Sequence, residues 1–292
     1  MGAVGVRFTT LDKPLWSDGT TKGALIEYLI AVAPVMLPHL EGRPLTRKRF
    51  PDGSDAKGFF EKNAPSHTPE WVATAQVTER DEVATYVVAD RPETLAWLGQ
   101  LAAIELHAPL AKAAAFDKPD LLVFDLDPGP GAGLQECGEL ALVVRGMLEQ
   151  LGLDSVIKTS GGKGMQLYVG IEAGSATFTE TQAFAKQVAL TLEQQMPDKV
   201  VSKQDRSLRP GKVLIDWGQN GYGKTTVAVY SARPGDAPSV STPLEWHEVE
   251  DAVSAGEAEA LRFGFSDVLA RVDASGDVFR AVLQAPQRLP QL

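Results

Sequence analysis

The stretch Leu121-Leu122-Val123-Phe124-Asp125-Leu126-Asp127-Pro128-Gly129 constrains the chain more than any other. Its apolar run has the length of one buried strand and ends in two acids one residue apart, followed by a Pro-Gly turn. Side chains alternate on a strand, so Asp125 and Asp127 share a face while Leu126 points into a core. Neighbouring carboxylates repel, and a fold that builds them in usually places a cation between them; hard oxygen donors at this spacing suit Mg²⁺ or Mn²⁺. The competing reading is a strand end with two solvated acids, and the stretch alone does not choose.

At 292 residues the chain is long enough for one large domain or two modest ones. No apolar run approaches the roughly 20 residues that span a bilayer, and Met1 to Thr10 lacks the basic and apolar regions of a secretory signal. The single cysteine, Cys137, excludes an intrachain disulfide and a cysteine-based zinc site. It falls on an apolar helical stripe, as a packed core thiol, and a reducing cytoplasm is expected. The four histidines, at 39, 67, 107 and 247, have no metal-type spacing. A net charge of −10 argues against a uniformly basic surface for nucleic acid. The charge is uneven, however. Six basic residues (Arg43, Arg47, Lys48, Arg49, Lys57, Lys62) stand against three acids between 43 and 62, and six more against two acids between 203 and 233. Each cluster alone also reads as solvated surface charge.

Residues 1–118 read as a mixed α/β part. Lys13 and Lys22 flank the turn 17–21, whose threonines can cap a following helix that Pro34 and Pro38 kink or end. Basic strand-like residues 45–50 follow, then Phe59-Phe60-Glu61-Lys62, a hairpin of 72–78 with 83–89 across 79–82, a helix from 93, and a short strand carrying His107. From Leu121 the order is strand, helix (137–151), strand (155–159), the loop Ser160-Gly161-Gly162-Lys163-Gly164, strand (165–171), helix, strand (212–217) and strand (225–231). Thr179 with Gln182 predicts the second helix's capping box. The fold class is therefore α+β, with a ferredoxin/RRM-like βαββαβ sheet. In that topology the first and fourth strands are neighbours, about 4.7–4.9 Å apart. Asp216, the acid of strand four, then lies beside Asp125 and Asp127, and three carboxylates on one open face can hold a pair of divalent ions. This correlation favours the metal reading of the opening stretch.

Two motifs act as decoys. Gly218-Gln219-Asn220-Gly221-Tyr222-Gly223-Lys224-Thr225 matches the phosphate-loop pattern, but β-branched residues follow its lysine where a helix is required. Asn220-Gly221 is itself a hairpin signal, so strand–turn–strand is expected. Phe124-Asp125-Leu126-Asp127 also resembles the opening of haloacid-dehalogenase phosphatases, with Asp125 as nucleophile. That alternative lacks the downstream acid pair and has Gly-Pro-Gly in place of the usual threonine. The Ser160–Gly164 loop can wrap amides and an ammonium around an anion. Beside three acids it becomes a cradle for a triphosphate, which Arg209 and Arg233 could complete.

Together Phe124–Gly129, Thr159–Gly164, Ser207–Trp217, Val229–Arg233, Gly42–Phe50 and Phe59–Lys62 resemble the polymerase domain of bacterial DNA ligase D, of the archaeo-eukaryotic primase superfamily. The likeness runs from about Thr10 almost to the C-terminus. It implies one primase-polymerase domain over 1–292: an N-terminal α/β part (1–118) contacting DNA, a catalytic core (119–235) and a C-terminal helical part (236–292). It implies that Asp125, Asp127 and Asp216 hold two Mn²⁺ or Mg²⁺ ions, one at the primer hydroxyl and one at the triphosphate. Ser160, Lys163, Arg209 and Arg233 would bind the phosphates of an incoming NTP or dNTP, with His107 near its sugar or phosphates. Lys13 and Lys22 resemble a pair gripping a 5′-phosphate at a DNA gap or break. Phe59 and Phe60 would stack on a template base, and Arg43, Arg47, Lys48 and Arg49 would add DNA contacts. The resemblance further implies ribonucleotide preference, work with Ku and a DNA ligase in end joining, a monomer, and no membrane partner. No ligase or nuclease segment is present, so a stand-alone relative or an excised domain is expected.

One position departs from the family. Where a histidine usually follows the glycine-lysine-glycine loop, this chain has Gln166, which hydrogen-bonds but carries no charge. As a nucleotide contact it predicts surviving activity with altered nucleotide binding or weaker catalysis. A catalytically weakened DNA-end or Ku-binding module is the non-enzyme alternative.

Overall fold

The computed structural model describes residues 5–79 and 82–290, the side chain of Glu79 apart. Met1–Val4, part of the segment read for a signal, and Arg80-Asp81 of the expected hairpin turn lie outside the described residues. The chain forms two compact units. The first takes the chain up to 116 together with 225–241 and 263–277; the second takes 117–224, 242–262 and 278–292. Segments 225–235 and 263–277, read from sequence as core and C-terminal part, thus join the N-terminal unit.

In the first unit, helix α1 (Lys22–Leu40) starts at Thr21, whose hydroxyl accepts from the amide of Ala24 at 3.2 Å. It runs through Pro34 and Pro38 rather than ending there. Each internal proline costs about 3 kcal/mol, and burying Leu25, Leu29, Val32, Met36 and Leu40 at about 1.5–3 kcal/mol each more than offsets it. At 19 residues, α1 is also long and apolar enough to cross a membrane, which corrects the sequence reading on that point. Its buried face makes it a core helix, with Tyr28 stacked on Phe265 of α5 (Phe265–Ser275) at 4.2 Å. Strands β1 (Thr46–Arg49), β2 (Phe59–Glu61), β5 (Ala103–Pro109) and β11 (Thr225–Val227) make an antiparallel sheet in the order β11-β5-β1-β2. Strands β3 (Thr74–Glu79) and β4 (Glu82–Val87) form the expected hairpin, and α2 (Pro92–Gln100) precedes β5.

The second unit contains the split βαββαβ motif. Strands β6 (Leu121–Pro128), β7 (Val156–Thr159), β8 (Met165–Gly170) and β10 (Val213–Ile215) lie in the order β7-β8-β6-β10, so first and fourth strands are neighbours as expected. Each pair is antiparallel. Short strands β13 (Pro243–Leu244) and β9 (Val200–Val201) extend the two edges. Helix α3 (Leu134–Gln150) carries buried Cys137, whose thiol reaches the carbonyl of Leu126 at 3.6 Å. Helix α4 (Phe178–Gln195) is capped by Thr177 with Glu180 three residues on, two residues before the pair expected from sequence.

Strand, turn and strand follow one another over 212–231 as expected, and no helix follows Lys224, but the two strands are shorter than expected and do not pair as a hairpin. β10 and β11 lie in different sheets, and Trp217–Asn220 form a 3₁₀ turn between them. Asn220 is buried, not a hairpin tip. Its side chain accepts from the amide of Val123 at 2.9 Å and donates to that residue's carbonyl at 2.7 Å. It thereby satisfies the β6 backbone just where β10 stops.

Candidate active site

The second unit's sheet register places three polar residues in one row across β6, β8 and β7, and Asp216, the residue just past the end of β10, continues it. Asp125 pairs with Gln166, and Gln166 with Lys158, while the amide of Asp216 donates to the carbonyl of Asp125 at 2.8 Å. Directly opposed residues share a face, so Asp216, Asp125, Gln166 and Lys158 line up, with Asp127 two positions along β6. The other face, with Phe124, Leu126 and Met165, is fully buried. A Cβ on Gly138 of α3 would meet Met165, which puts α3 on that face and leaves the acids to the opposite one.

Each acid has a protein partner. Asp125 Oδ1 accepts from Gln166 Nε2 at 2.9 Å, and Gln166 Oε1 accepts from the buried Lys158 ammonium at 2.6 Å. Asp127, whose side chain is 56% exposed, pairs with Arg209 at 3.0 Å. Asp216 caps the 3₁₀ turn, accepting from the amide of Gly218 at 3.1 Å and from Gln219 Nε2 at 3.0 Å. Burial, with the charges of Asp216 and Asp127 adding to it, pushes the Asp125 carboxyl up to about 6. The Gln166 amide and the Lys158 ammonium pull the other way without cancelling the shift.

Among the described residues no three His, Cys, Asp or Glu side chains are gathered closely enough to hold an ion. The donor chemistry still fits a hard divalent cation: three carboxylates from adjacent strand ends, the innermost disfavoured in its charged form by burial and by like charges. Asp127 meets Arg209 through Oδ2 alone, and each Asp216 oxygen accepts one hydrogen bond within the 3₁₀ turn, so all three carboxylates keep lone pairs for a cation. The Nε of Arg209 is buried without a hydrogen-bond partner, so its guanidinium retains an unmatched donor.

The Ser160–Gly164 loop is closed by its own serine. The Ser160 hydroxyl accepts from the amides of Gly162 and Gly164, both at 3.2 Å, which leaves its O–H free to donate. Gly164 is obligatory, since a Cβ there would lie 2.3 Å from the carbonyl of Leu126. Lys163 is exposed at the tip. Arg262, which no sequence motif singles out, donates to the carbonyl of Gly162 and pairs with Glu259.

The remaining predicted residues lie in the first unit. Lys13 and Lys22 are brought together by backbone pairing, with Lys22 N donating to Lys13 O at 2.8 Å. Lys13 Nζ donates to the carbonyl of Pro51 at 2.6 Å, and burial, then Lys13, lowers the Lys22 pKa. The basic cluster at 43–49 does not form one DNA-facing patch. Arg43 and Arg47 are buried: Arg43 donates to the carbonyls of His39 and Pro109, and Arg47 to Glu61 and the carbonyl of Asn63. Their expected DNA contacts are corrected to structural roles. Lys48 and Arg49 are half-buried on opposite faces of β1, and Phe59 and Phe60 likewise point to opposite faces of β2. Arg49 covers Phe59 at 5.5 Å, while Lys48 covers Phe60 at 5.5 Å. The expected common stack of both rings on one base is therefore split; Phe60, at 62%, is the more exposed. His107 and Arg233 meet at a residue that sequence reasoning missed, Glu105, at 2.7 and 2.8 Å. Its signal was present: an acid two positions from His107 on a predicted strand shares its face.

An acid row on a βαββαβ sheet beside a serine-lysine glycine loop defines a nucleotidyltransferase of the primase-polymerase class. The profile of the LigD primase-polymerase domain matches residues 21–279, and the chain belongs to that family. It is 40% identical over 276 residues to the multifunctional non-homologous end joining protein LigD of Mycolicibacterium smegmatis, covering 94% of this chain and 35% of that protein. To the bifunctional LigD of Bacillus subtilis it is 31% identical over 286 residues, covering 98% of this chain and 45% of that one. The chain thus spans less than half the length of these relatives. The polymerase domain of Mycobacterium tuberculosis ligase D, solved in complex with DNA, superposes with a TM-score of 0.89 at 39% identity. That match covers 96% of this chain and 99% of the other.

Proposed function

We propose that this chain is a template-dependent polymerase that adds nucleotides, ribonucleotides in preference, to a primer at gaps or broken DNA ends during non-homologous end joining. The observation that carries this reading is the placement of Asp216 directly beside Asp125 by the β6–β10 pairing. Asp125, Asp127 and Asp216 would hold two divalent ions, Mn²⁺ or Mg²⁺. When bound, these supply charge for the triphosphate and acidify the primer hydroxyl. The Ser160 hydroxyl, Lys163 and Arg209 are donors suited to the phosphates, and His107 and Arg233 are assigned to the nucleotide by the family resemblance. Gln166 departs from its expected nucleotide contact: both ends of its amide are engaged, by Lys158 and by Asp125. Its role in this reading is to orient Asp125.

Lys13 and Lys22, two ammonium groups held close enough for Lys13 to depress Lys22, would welcome a 5′-phosphate. Ku and a DNA ligase are the proposed partners, since the relatives are named for end joining.

The test is primer extension on a gapped duplex, with and without a 5′-phosphate, supplied with Mn²⁺ and either ribo- or deoxyribonucleotides. Extension that the 5′-phosphate stimulates is expected, with ribonucleotides favoured. DNA binding without extension under any of these conditions would replace the polymerase reading with the binding-module one.

A further inference from the structure

The first unit buries a carboxylate in the middle of an apolar strand. In β5, Ala103, Ile104, Leu106 and Ala108 are buried, and the Glu105 side chain among them is only 2% exposed. Taking a carboxylate out of water costs several kcal/mol unless it is paired and hydrogen-bonded, and an apolar residue would serve the packing at less cost. Glu105 is paired three times: Oε2 with His107 Nε2 at 2.7 Å and Arg233 at 2.8 Å, and Oε1 with Lys48 Nζ at 3.1 Å. All three partners keep part of their surface open, so the carboxylate lies beneath and the donors reach outward.

The sheet register builds this arrangement. Phe60 opposes Lys48 and Lys48 opposes Glu105, forming a row across β2, β1 and β5. His107, two residues along, shares the face and meets Phe60 edge-on at 5.4 Å. Arg233 arrives from β12 (Ala232–Arg233), and its Nε is buried without a hydrogen-bond partner, a donor that the protein itself does not match.

We infer that Glu105 is a positioning residue for the polymerase reaction: it fixes the ring and tautomer of His107 and the guanidinium of Arg233, and ties both to Lys48 and Phe60. An ionised carboxylate only accepts, so the contact at 2.7 Å requires the proton of a neutral His107 on Nε2. Nδ1 is then a hydrogen-bond acceptor, suited to a hydroxyl of the incoming nucleotide and not to its phosphates. Burial first lowers the His107 pKa, Glu105 opposes this, and Arg233 and Lys48 reinforce it, so the ring is neutral at pH 7. The substrate named here rests on the polymerase reading; the geometry at Glu105 does not.

The experiment pairs ¹⁵N NMR of the histidine ring with steady-state extension kinetics on the full chain and its Glu105→Gln and Glu105→Asp variants. In the unmodified protein the His107 ring should carry its proton on Nε2 between pH 6.5 and 8; protonation on Nδ1 would overturn the inference without any variant. Glu105→Gln should raise the nucleotide KM by about tenfold or more, the loss of one charge-assisted hydrogen bond. The kcat should change much less, and Glu105→Asp should recover part of the loss. A Glu105→Gln protein that folds, loses the Nε2 tautomer and keeps the parental KM would show Glu105 to be structural only. Absence of extension by the unmodified protein would sink the polymerase reading instead, leaving the tautomer result to decide for Glu105.

Discussion

Two carboxylates of this molecule sit at the centre of cross-strand rows, and their surroundings drive them in opposite directions. Asp125 has two acids for neighbours and a neutral amide as its hydrogen-bond donor, and its carboxyl rises to about 6. Burial would also raise Glu105, yet the hydrogen bond from His107 and the charges of Arg233 and Lys48 hold it at about 2. Because His107 is itself lowered toward its neutral form, the ionic share at pH 7 comes from Arg233 and Lys48. The lesson is that burial alone does not mark a reactive acid. An acid short of cations is prepared to receive one, whereas an acid saturated with them organises the groups around it.

The contrast can be broken most sharply at Asp125. Asp125→Ala should reduce Mn²⁺-dependent primer extension by about 10³-fold or more, ~4 kcal/mol of transition-state stabilisation. DNA affinity measured by fluorescence anisotropy should stay within about twofold. Loss of DNA binding in step with activity would move Asp125 from the chemistry to the fold.

Glu105→Ala should act on stability, by about 2–4 kcal/mol at pH 7, since it leaves Arg233 and Lys48 without their counter-ion. The folded carboxyl is depressed below the ordinary value of 4.5, so its contribution is present above that value and lost as pH falls toward about 2. Urea midpoints of parent and variant should therefore differ at pH 7 and converge near pH 2. A gap that stayed constant with pH would mean packing, not charge, is what Glu105 contributes.

The opposite sign is expected for Asp125→Asn in the metal-free protein. A carboxyl raised from 3.8 to about 6 holds its proton more tightly when folded, so stability falls as pH rises through that window. The amide variant should be more stable than the parent by about 1–2 kcal/mol at pH 7, and no more stable at pH 4. Thermal melts in the presence of a chelator read this directly, and added Mn²⁺ should restore the parent alone.

The smallest effect separates the basic residues. Lys13→Ala should reduce the slope of log affinity for 5′-phosphorylated DNA against log salt by about one. Arg47→Ala should leave that slope unchanged and lower the melting temperature, because Arg47 is buried against Glu61 and the carbonyl of Asn63.

Much of the second unit was readable in advance because its signals are local and periodic. The Leu121–Leu126 run, the α3 stripe through Cys137 and the glycine loop announce their elements one by one, and the βαββαβ order then dictates which strands adjoin. The errors arose where a local signal had a tertiary competitor. Pro34 and Pro38 read as helix breakers, yet core burial carries α1 through both. Asn220-Gly221 reads as a hairpin tip, yet Asn220 is drawn inward to satisfy the backbone of Val123. Arg43 and Arg47 read as surface charge, because a sequence shows the charge of a residue and not the side of the strand that is buried.

By itself, then, the sequence determined the elements, the spacing that puts Asp125 and Asp127 on one face, and the strand order that brings Asp216 alongside. Those depend on alternation and helical period, which are properties of neighbouring residues. Only the tertiary structure decided the register: that Gln166 opposes both Asp125 and Lys158, and that Lys48 opposes both Phe60 and Glu105. Residues far apart in sequence become partners through pairing, and whether an acid meets another acid or an ammonium there sets its charge, its pKa and its task.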